Sequence, residues 1–301
     1  MGCRSDNRPD YLRNVLQYIV VGIASGALYG IVGVGIALTY RASGVVNFAH
    51  GEMATCSTFI VYILWDRGLP FGIAILGGLL FAAVLGPVTE RVAIRPMRNA
   101  SPVNVVIMTV ALFSIFAGLT LTIFGPDGRR FPYLRTGAPF RAGDVILTQQ
   151  AAVTLAAASI ISVGLYVVFY RTTIGTAMRA IAESPASART IGVPVGRILS
   201  MTWVIAAMTG ALAGVLVAPV VTLSPNLMAS LLISAFAAAV LGGLNSIGGA
   251  LVGGVMVGIL ESLLAGYVST QLSSTFTYLI IIAVLITRPD GLLGRRATVK
   301  L

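Results

Sequence analysis

The fold is decided by residues 198–260, which read ILSMTWVIAAMTGALAGVLVAPVVTLSPNLMASLLISAFAAAVLGGLNSIGGALVGGVMVGIL. This run contains no charged side chain. About twenty predominantly apolar residues are enough for a helix to cross the hydrocarbon core of a bilayer. The run is long enough for several crossings, and it is broken by Pro219, by Pro225 with Asn226, and by the glycine-rich stretch 242–249.

Uncharged runs of the same kind extend over most of the remaining chain. They cover residues 14–40, 53–65, 68–89, 99–126, 145–170 and 262–287. The breaks in the C-terminal third separate four segments, near 199–221, 228–242, 248–268 and 275–287, which brings the total to nine. The segments 53–65 and 228–242 are short enough to be half-helices or re-entrant pieces, so eight crossings remain an alternative to nine. The sequence predicts an all-α, polytopic integral membrane helix bundle with 8–9 transmembrane segments, broken or re-entrant helices included.

The composition excludes a soluble globular domain. Hydrophobic residues make up 57% of the chain and charged residues 10%, and the mean hydropathy is +0.93. Soluble domains carry about 25% charged residues, which they need to cover their surface. The net charge of +10 does not indicate nucleic-acid binding, because the basic residues are scattered between apolar runs, as is typical of loops that flank membrane spans.

The distribution of basic residues predicts which loops face the cytoplasm. The loops and the C-terminal tail on one side of the membrane contain eleven basic residues: Arg91, Arg95, Arg98, Arg171, Arg179, Arg189, Arg197, Arg288, Arg295, Arg296 and Lys300. The other side receives Arg129, Arg130, Arg135 and Arg141. The positive-inside rule makes the first side cytoplasmic. We therefore predict a polar N-terminal tail (1–13), a transmembrane domain (14–287) and a cytoplasmic C-terminal tail (288–301). Within the transmembrane domain, loop 172–197 is cytoplasmic and loop 127–144 is external. The N-terminus is inside with eight crossings and outside with nine.

Two hexapeptides share most of their residues. Residues 25–30 read SGALYG, and residues 209–214 read TGALAG. Internal repeats are common in transporters. In a chain so rich in Gly and Ala, however, chance explains a match of this length.

The sequence contains none of the common signatures of an enzyme or a cofactor site. It has no Gly-x-x-x-x-Gly-Lys-Ser/Thr loop for ATP and no cluster of His and Cys that could hold a metal. We predict a transport subunit that is not an enzyme and has no cofactor. Its energy then comes from an ion gradient or from another polypeptide.

Glu261 is the one acidic residue inside an apolar helix. An ionised carboxylate at such a position is costly unless it is paired or hydrated. It is either a residue of the transport pathway or a carboxylate near the bilayer surface that is hydrogen-bonded to a neighbouring helix. Gly258, Ser262 and Gly266 on nearby turns favour close helix packing around it.

A polar patch lies between the first two segments. It contains Asn47, His50 and Glu52, and His50 is the only histidine. The patch either lines a cavity or gate, or belongs to a loop whose side chains satisfy backbone groups near the interface.

Loop 172–197 contains a helix signature. Ser184 is a suitable N-cap, Pro185 occupies the first helical position, and Gly192 ends the helix. Such a helix beneath a membrane bundle is suited to docking into a groove of a soluble partner. A solvated connector is the alternative.

Four motifs in order along the chain resemble one known family. They are Asn47-Phe48-Ala49-His50-Gly51 within residues 45–53, the loop from Arg179 and Glu183 through Ala188 to Gly192, the stretch AVLGGLNSIGGA at 239–250, and RPDGLLG at 288–294. Together they resemble LivH-type permeases of branched-chain amino acid ABC importers, over residues 15–296.

The resemblance implies a membrane subunit in a larger machine in the bacterial cytoplasmic (inner) membrane. Its partners are a second permease subunit, homologous or identical, two cytoplasmic ATP-binding subunits and a periplasmic or extracellular solute-binding protein. Arg179, Glu183, Ala188 and Gly192 then form the ATPase-coupling loop, and the glycine motif (Gly242, Gly243, Gly248 and Gly249) serves helix packing. Relatives carry urea or short amides. From a different class, an ion-coupled secondary transporter or channel that uses Glu261 and His50 is the alternative.

Overall fold

The structure is a computed structural model that describes residues 10–134, 137–142, 145–288 and 291–294. Residues 1–9 of the predicted N-terminal tail, and residues 289–290 and 295–301 of the predicted C-terminal tail, lie outside the described residues. The α-helices are α1 (Asp10–Ser43), α2 (His50–Asp66), α3 (Phe71–Thr89), α4 (Pro102–Phe124), α5 (Gln149–Arg171), α6 (Thr173–Glu183), α7 (Pro185–Thr190), α8 (Val195–Val221), α9 (Ala229–Gly242), α10 (Ile247–Tyr267) and α11 (Ser273–Thr287). A π-helical turn (Glu90–Ile94) and a 3-10 turn (Arg95–Met97) extend α3, and two short antiparallel strands, β1 (Phe140–Ala142) and β2 (Val145–Leu147), precede α5.

The all-α membrane fold is confirmed. Six helical stretches in the described part of the chain are long and apolar enough to cross a membrane. They are Asn14–Ser43, Phe71–Met97, Pro102–Phe124, Gln149–Arg171, Val195–Val221 and Ile247–Tyr267. The apolar helices α2, α9 and α11 are shorter. These nine helices correspond to the nine predicted segments, whereas α6 was not predicted.

The loops gather at two ends of the bundle. At one end, Arg41, Arg98 and Arg189 line a common cavity, and we call this the arginine-rich end. At the other, the arginine-poor end, the Gln17 amide exchanges two hydrogen bonds of 2.9 Å with the backbone of Ile146. The start of α1 therefore lies with the loop that follows α4, an arrangement that fits nine segments rather than eight.

Helix α2 begins inside the bundle rather than at its surface. Its first residue, His50, lies against Gly35 of α1 and Gly210 of α8. Gly35 is eight residues before the end of α1, or about 12 Å along the helix axis. The non-helical residues 44–49 therefore enter the bundle from the arginine-rich end before α2 starts.

Polar groups of this buried irregular segment find partners within the protein. The Thr109 hydroxyl of α4 donates to the Val46 carbonyl at 3.3 Å, and the Ala49 N–H donates to the Asn47 side chain at 3.1 Å. Non-helical backbone at membrane depth is tolerated only where protein or trapped water satisfies it. These bonds explain how the chain can break here.

Helix α9 also begins inside the bundle, but the non-helical segment before it enters from the arginine-poor end. Helix α8 ends at Val221 near the arginine-poor end, and the non-helical residues 222–228 lead back into the bundle. The start of α9 then meets the start of α2, since Gly51 packs against Met228 and Leu232. The two short segments predicted as half-helices or re-entrant pieces are thus helices that begin inside the protein.

The helix packing reveals an inverted repeat. Helices α1–α4 correspond to α8–α11, since α1 packs along α10 as α8 packs along α3, and α1 contacts α9 as α8 contacts α2. Helix α1 runs toward the arginine-rich end and α8 runs away from it, so the two sets have opposite orientation. Such repeats are typical of transporters. The two matched hexapeptides lie on the corresponding helices α1 and α8 but not at equivalent positions, since Gly26 packs against α10 whereas Gly210 packs against His50 and Ala54 of α2, so the repeat does not explain their match.

Glycines bring helix backbones into contact. A Cβ added to Gly26 would lie 2.6 Å from the Gly254 carbonyl oxygen, and one added to Gly258 would lie 2.4 Å from the Gly26 Cα atom. Helices α1 and α10 therefore touch through their backbones, as small residues allow in membrane bundles. In the glycine motif, a Cβ on Gly242 would lie 1.9 Å from the Gly249 carbonyl oxygen, whereas one on Gly248 would meet no described atom of this chain within 4 Å.

Gly243, the remaining glycine of that motif, lies at a turn. Gly243 ends α9 with a φ of +99°, a conformation that L side chains rarely adopt. The Leu292 and Leu293 N–H groups donate to the Leu241 and Gly242 carbonyls at the same helix end. These bonds tie the chain after α11 to the end of α9.

Candidate functional site

The polar patch at the start of α2 lies inside the bundle. Asn47, His50 and Glu52 are each at most 2% exposed, and among the residues described only Asn47 satisfies a backbone group, the Ala49 N–H. The imidazole of His50 fills a slot between Gly35 and Gly210, where larger residues would collide with it. Within the described chain, His50 Nε2 and Glu52 Oε2 have no hydrogen-bond partner. Buried polar atoms without partners are costly, and the ends of two broken helices meet beside them.

Glu261 sits in a second polar cluster, nearer the arginine-poor end. It lies six residues before the end of α10, or about 9 Å along the axis. Its Oε1 accepts a hydrogen bond from the Ser274 hydroxyl of α11, and the Tyr29 phenol of α1 lies beside the carboxylate. The hydroxyls of Ser234 and Tyr278, 3.2 Å apart, complete the cluster. These groups line a cavity of about 310 Å³ between α1, α8, α9, α10 and α11.

Both alternatives for Glu261 find support in this geometry. The bond from Ser274 is the predicted bond to a neighbouring helix, and Gly258 and Gly266 pack closely against Gly26 and the Tyr18 ring. The cavity is what a pathway residue would need. One carboxylate oxygen, Oε2, has no hydrogen-bond partner in the part of the chain that the structure describes.

The predicted capped helix is α7. The Ser184 hydroxyl accepts from the Ser187 N–H at 3.2 Å, and Pro185 is the first helical residue. After the helix, Gly192 adopts a φ of +82°, the left-handed conformation that ends helices. This signal is local, which is why the sequence alone reveals it. Helix α6 before it was missed although it has a similar cap, in which the Thr172 hydroxyl accepts from the Gly175 N–H at 3.2 Å.

The four predicted coupling residues do not share one face. Glu183 and Gly192 are exposed, whereas Ala188 is 2% exposed and packs against the bundle. Arg179 is directed back to the membrane domain, where it donates to the Phe169 carbonyl. Its guanidinium lies 5.4 Å from the centre of the Tyr170 ring. Ala188 is therefore covered by this chain itself, whereas Glu183 and Gly192 are open to a partner, and the coupling role of the four residues stays a prediction.

Glu90 is the residue that sequence reasoning overlooked. It is 2% exposed, and it accepts from Arg95 Nη2 at 2.7 Å, Arg98 Nη2 at 3.2 Å and the Ser200 hydroxyl at 2.9 Å. We call this group the Glu90 clamp. It joins the π-helical turn after α3 to the first turns of α8, next to α7. Its signal in the sequence was a single acid at the boundary between an apolar run and three arginines.

Comparison with known proteins identifies the family. The sequence profile described as "Branched-chain amino acid transport system / permease component" matches residues 18–285. The chain belongs to this family. The permease is therefore a multi-pass membrane transport subunit and not an enzyme, as predicted.

Curated relatives cover the permease almost from end to end. LivH of Escherichia coli K12, a high-affinity branched-chain amino acid permease, is 29% identical over 93% of this chain and 96% of its own. BraD of Pseudomonas aeruginosa is 28% identical with the same coverage, and a probable LivH of Methanocaldococcus jannaschii is 29% identical over 86% of each chain. Among solved structures, PsaBC of Streptococcus pneumoniae aligns over 89% of this chain and 90% of its own with a TM-score of 0.45 and 15% identity, too distant to carry an argument.

Proposed function

We propose that the permease forms, with a second homologous or identical subunit, the translocation pathway of an ATP-driven importer of branched-chain or related hydrophobic amino acids. The observation that carries the proposal is the family match, which extends over residues 18–285 and therefore covers helices α6 and α7 as well as the membrane helices.

The arginine-rich end is the side that we assign to the cytoplasm of a bacterial inner membrane. Positively charged loops remain on the cytoplasmic side during insertion. Two ATP-binding subunits would dock there, against α6 and α7, where the exposed Glu183 lies near the N-terminus of α7. A solute-binding protein would deliver the substrate at the arginine-poor end.

Uptake by reconstituted proteoliposomes tests this function. The permease, its ATPases and the binding protein are reconstituted, and uptake of labelled leucine, valine and isoleucine is compared with that of urea and acetamide. We expect uptake of the amino acids that requires ATP and every partner chain. Uptake driven by an ion gradient in the permease alone would establish the secondary-transporter alternative, and uptake restricted to urea or acetamide would reassign the substrate.

A further inference from the structure

The Glu261 cavity has the composition of a ligand site. Its wall contains Glu261, two tyrosine phenols and four serine hydroxyls, but no Lys, Arg or His, and all its lining residues belong to the described chain. Among the described residues, no cation lines this cavity, and the enclosed Oε2 of Glu261 has no hydrogen-bond partner although the Tyr29 phenol lies beside the carboxylate. A carboxylate in a membrane bundle is expected to pair with a cation. The cation that suits this cavity must come from outside the chain.

One wall of the same cavity is the start of α9. Ser230 and Leu231 line it and lie in the first turn of that helix. First-turn N–H groups have no acceptor within their own helix and carry the positive end of its dipole. Broken helices in transporters direct such N-termini at the anionic groups of substrates. The Ala229 N–H already donates to the Asn226 carbonyl at 3.1 Å, so the Ser230 and Leu231 N–H groups are the first-turn donors that remain for an anion, opposite the carboxylate that suits a cation.

The remaining wall is aliphatic. Leu28, Val217 and Leu227 are buried residues that line the cavity between these polar groups. The cavity volume of about 310 Å³ is at the lower limit of pockets that bind small organic molecules, about 300–1,000 Å³. The ligand that matches these walls is small, carries both charges and has an apolar side chain.

We infer that this cavity binds a zwitterionic aliphatic amino acid within the permease itself. The Glu261 carboxylate receives the α-ammonium group, the first turn of α9 receives the α-carboxylate, and the aliphatic wall receives the side chain. The choice of an amino acid as ligand rests on the proposed function. The cavity lies toward the arginine-poor end, where substrate would arrive from a binding protein.

Equilibrium binding to the assembled complex tests the inference. The permease with its ATPases, but without the binding protein, is placed in lipid nanodiscs and dialysed against labelled L-leucine or labelled 4-methylpentanoate, which lacks the ammonium group. We expect saturable leucine binding that Glu261→Gln weakens at least tenfold. The same substitution should leave 4-methylpentanoate binding unchanged or strengthen it, because a repelling charge is removed. A merely structural role would weaken both ligands alike.

Two further variants complete the experiment. Asp66→Asn removes one negative charge at an exposed position near the same end and should bind leucine as the wild type does. If Glu261→Gln fails to assemble, Ser230→Phe, which adds bulk at an exposed position of the cavity wall, should abolish leucine binding. Equal leucine affinity in wild type and Glu261→Gln, or no saturable binding by the wild type, overturns the inference. Leucine uptake by the full importer in proteoliposomes would then show whether the proposed function still stands.

Discussion

Replacing Glu90 by alanine should lower the thermal stability of the permease by a measurable amount. Removing one partner of a fully buried ion pair costs about 3–5 kcal/mol. The side chains of Arg95 and Arg98 are 37% and 33% exposed, however, so water can rehydrate both cations when the carboxylate is lost. The loss of folding free energy is then closer to the value for removing hydrogen bonds to a charged group, about 1.5–3 kcal/mol. At about 2 °C per kcal/mol for a large domain, the Tm should fall by about 3–6 °C.

The protein contains its own reporter for this measurement. Cys56 is partly buried in α2, and its thiol lies 3.1 Å from the Thr120 hydroxyl. With Cys3 replaced by serine, Cys56 is the single thiol, and a fluorogenic maleimide in detergent reports its exposure during heating. Glu183→Ala is the matched control, because it removes an exposed carboxylate at the same end. A Tm for Glu90→Ala equal to that of the control or of the wild type would refute the Glu90 clamp as a stabilising contact.

Three more predictions concern orientation, coupling and packing. In a cysteine-free background, an impermeant maleimide applied to intact cells should label Asp127→Cys but not Ala186→Cys; the reverse pattern would invert the assigned topology. Glu183→Arg places positive charge at the N-terminus of α7, which costs about 0.3–1 kcal/mol locally. The variant should insert normally but take up substrate more slowly in the presence of its ATPases. Uptake at the wild-type rate would show that this loop is only a connector. Gly258→Leu should prevent assembly of α1 against α10, whereas Gly248→Leu, which enters open space, should express and run on size-exclusion chromatography as the wild type does; equal yields of folded protein would contradict the backbone contact.

The sequence predicts most of the helices because the signal for a membrane segment is local. Charges, prolines and glycine pairs mark where an apolar run ends, and the four C-terminal segments were placed within a few residues of α8–α11. The depth in the bundle at which a helix begins, by contrast, depends on residues far away in the sequence. Helix α2 starts inside the bundle because Gly35 and Gly210, on two other helices, leave room for His50. No pattern around His50 contains that information.

The candidate sites likewise could be predicted where the partners are neighbours in the sequence and were missed where they are distant. The cap of α7 was predicted because Ser184 and Pro185 are neighbours. The Glu90 clamp was missed because it pairs Glu90 with Ser200, on a helix far along the chain. The cavity at Glu261 likewise combines residues of five helices, so composition alone leaves the role of its carboxylate open.

The pairing of α1 with α10 and of α3 with α8 has a mechanical consequence. Each half of the inverted repeat contributes a helix that is embedded in the other half, and at Gly26 and Gly258 the two backbones are in direct contact. Halves that are interlocked in this way cannot swing apart as separate lobes without breaking the most tightly packed seam of the protein. In the importer proposed above, the displacement that exposes substrate first to one side and then to the other would therefore occur at the boundary between this chain and its partner subunits, with the chain itself moving nearly as one body.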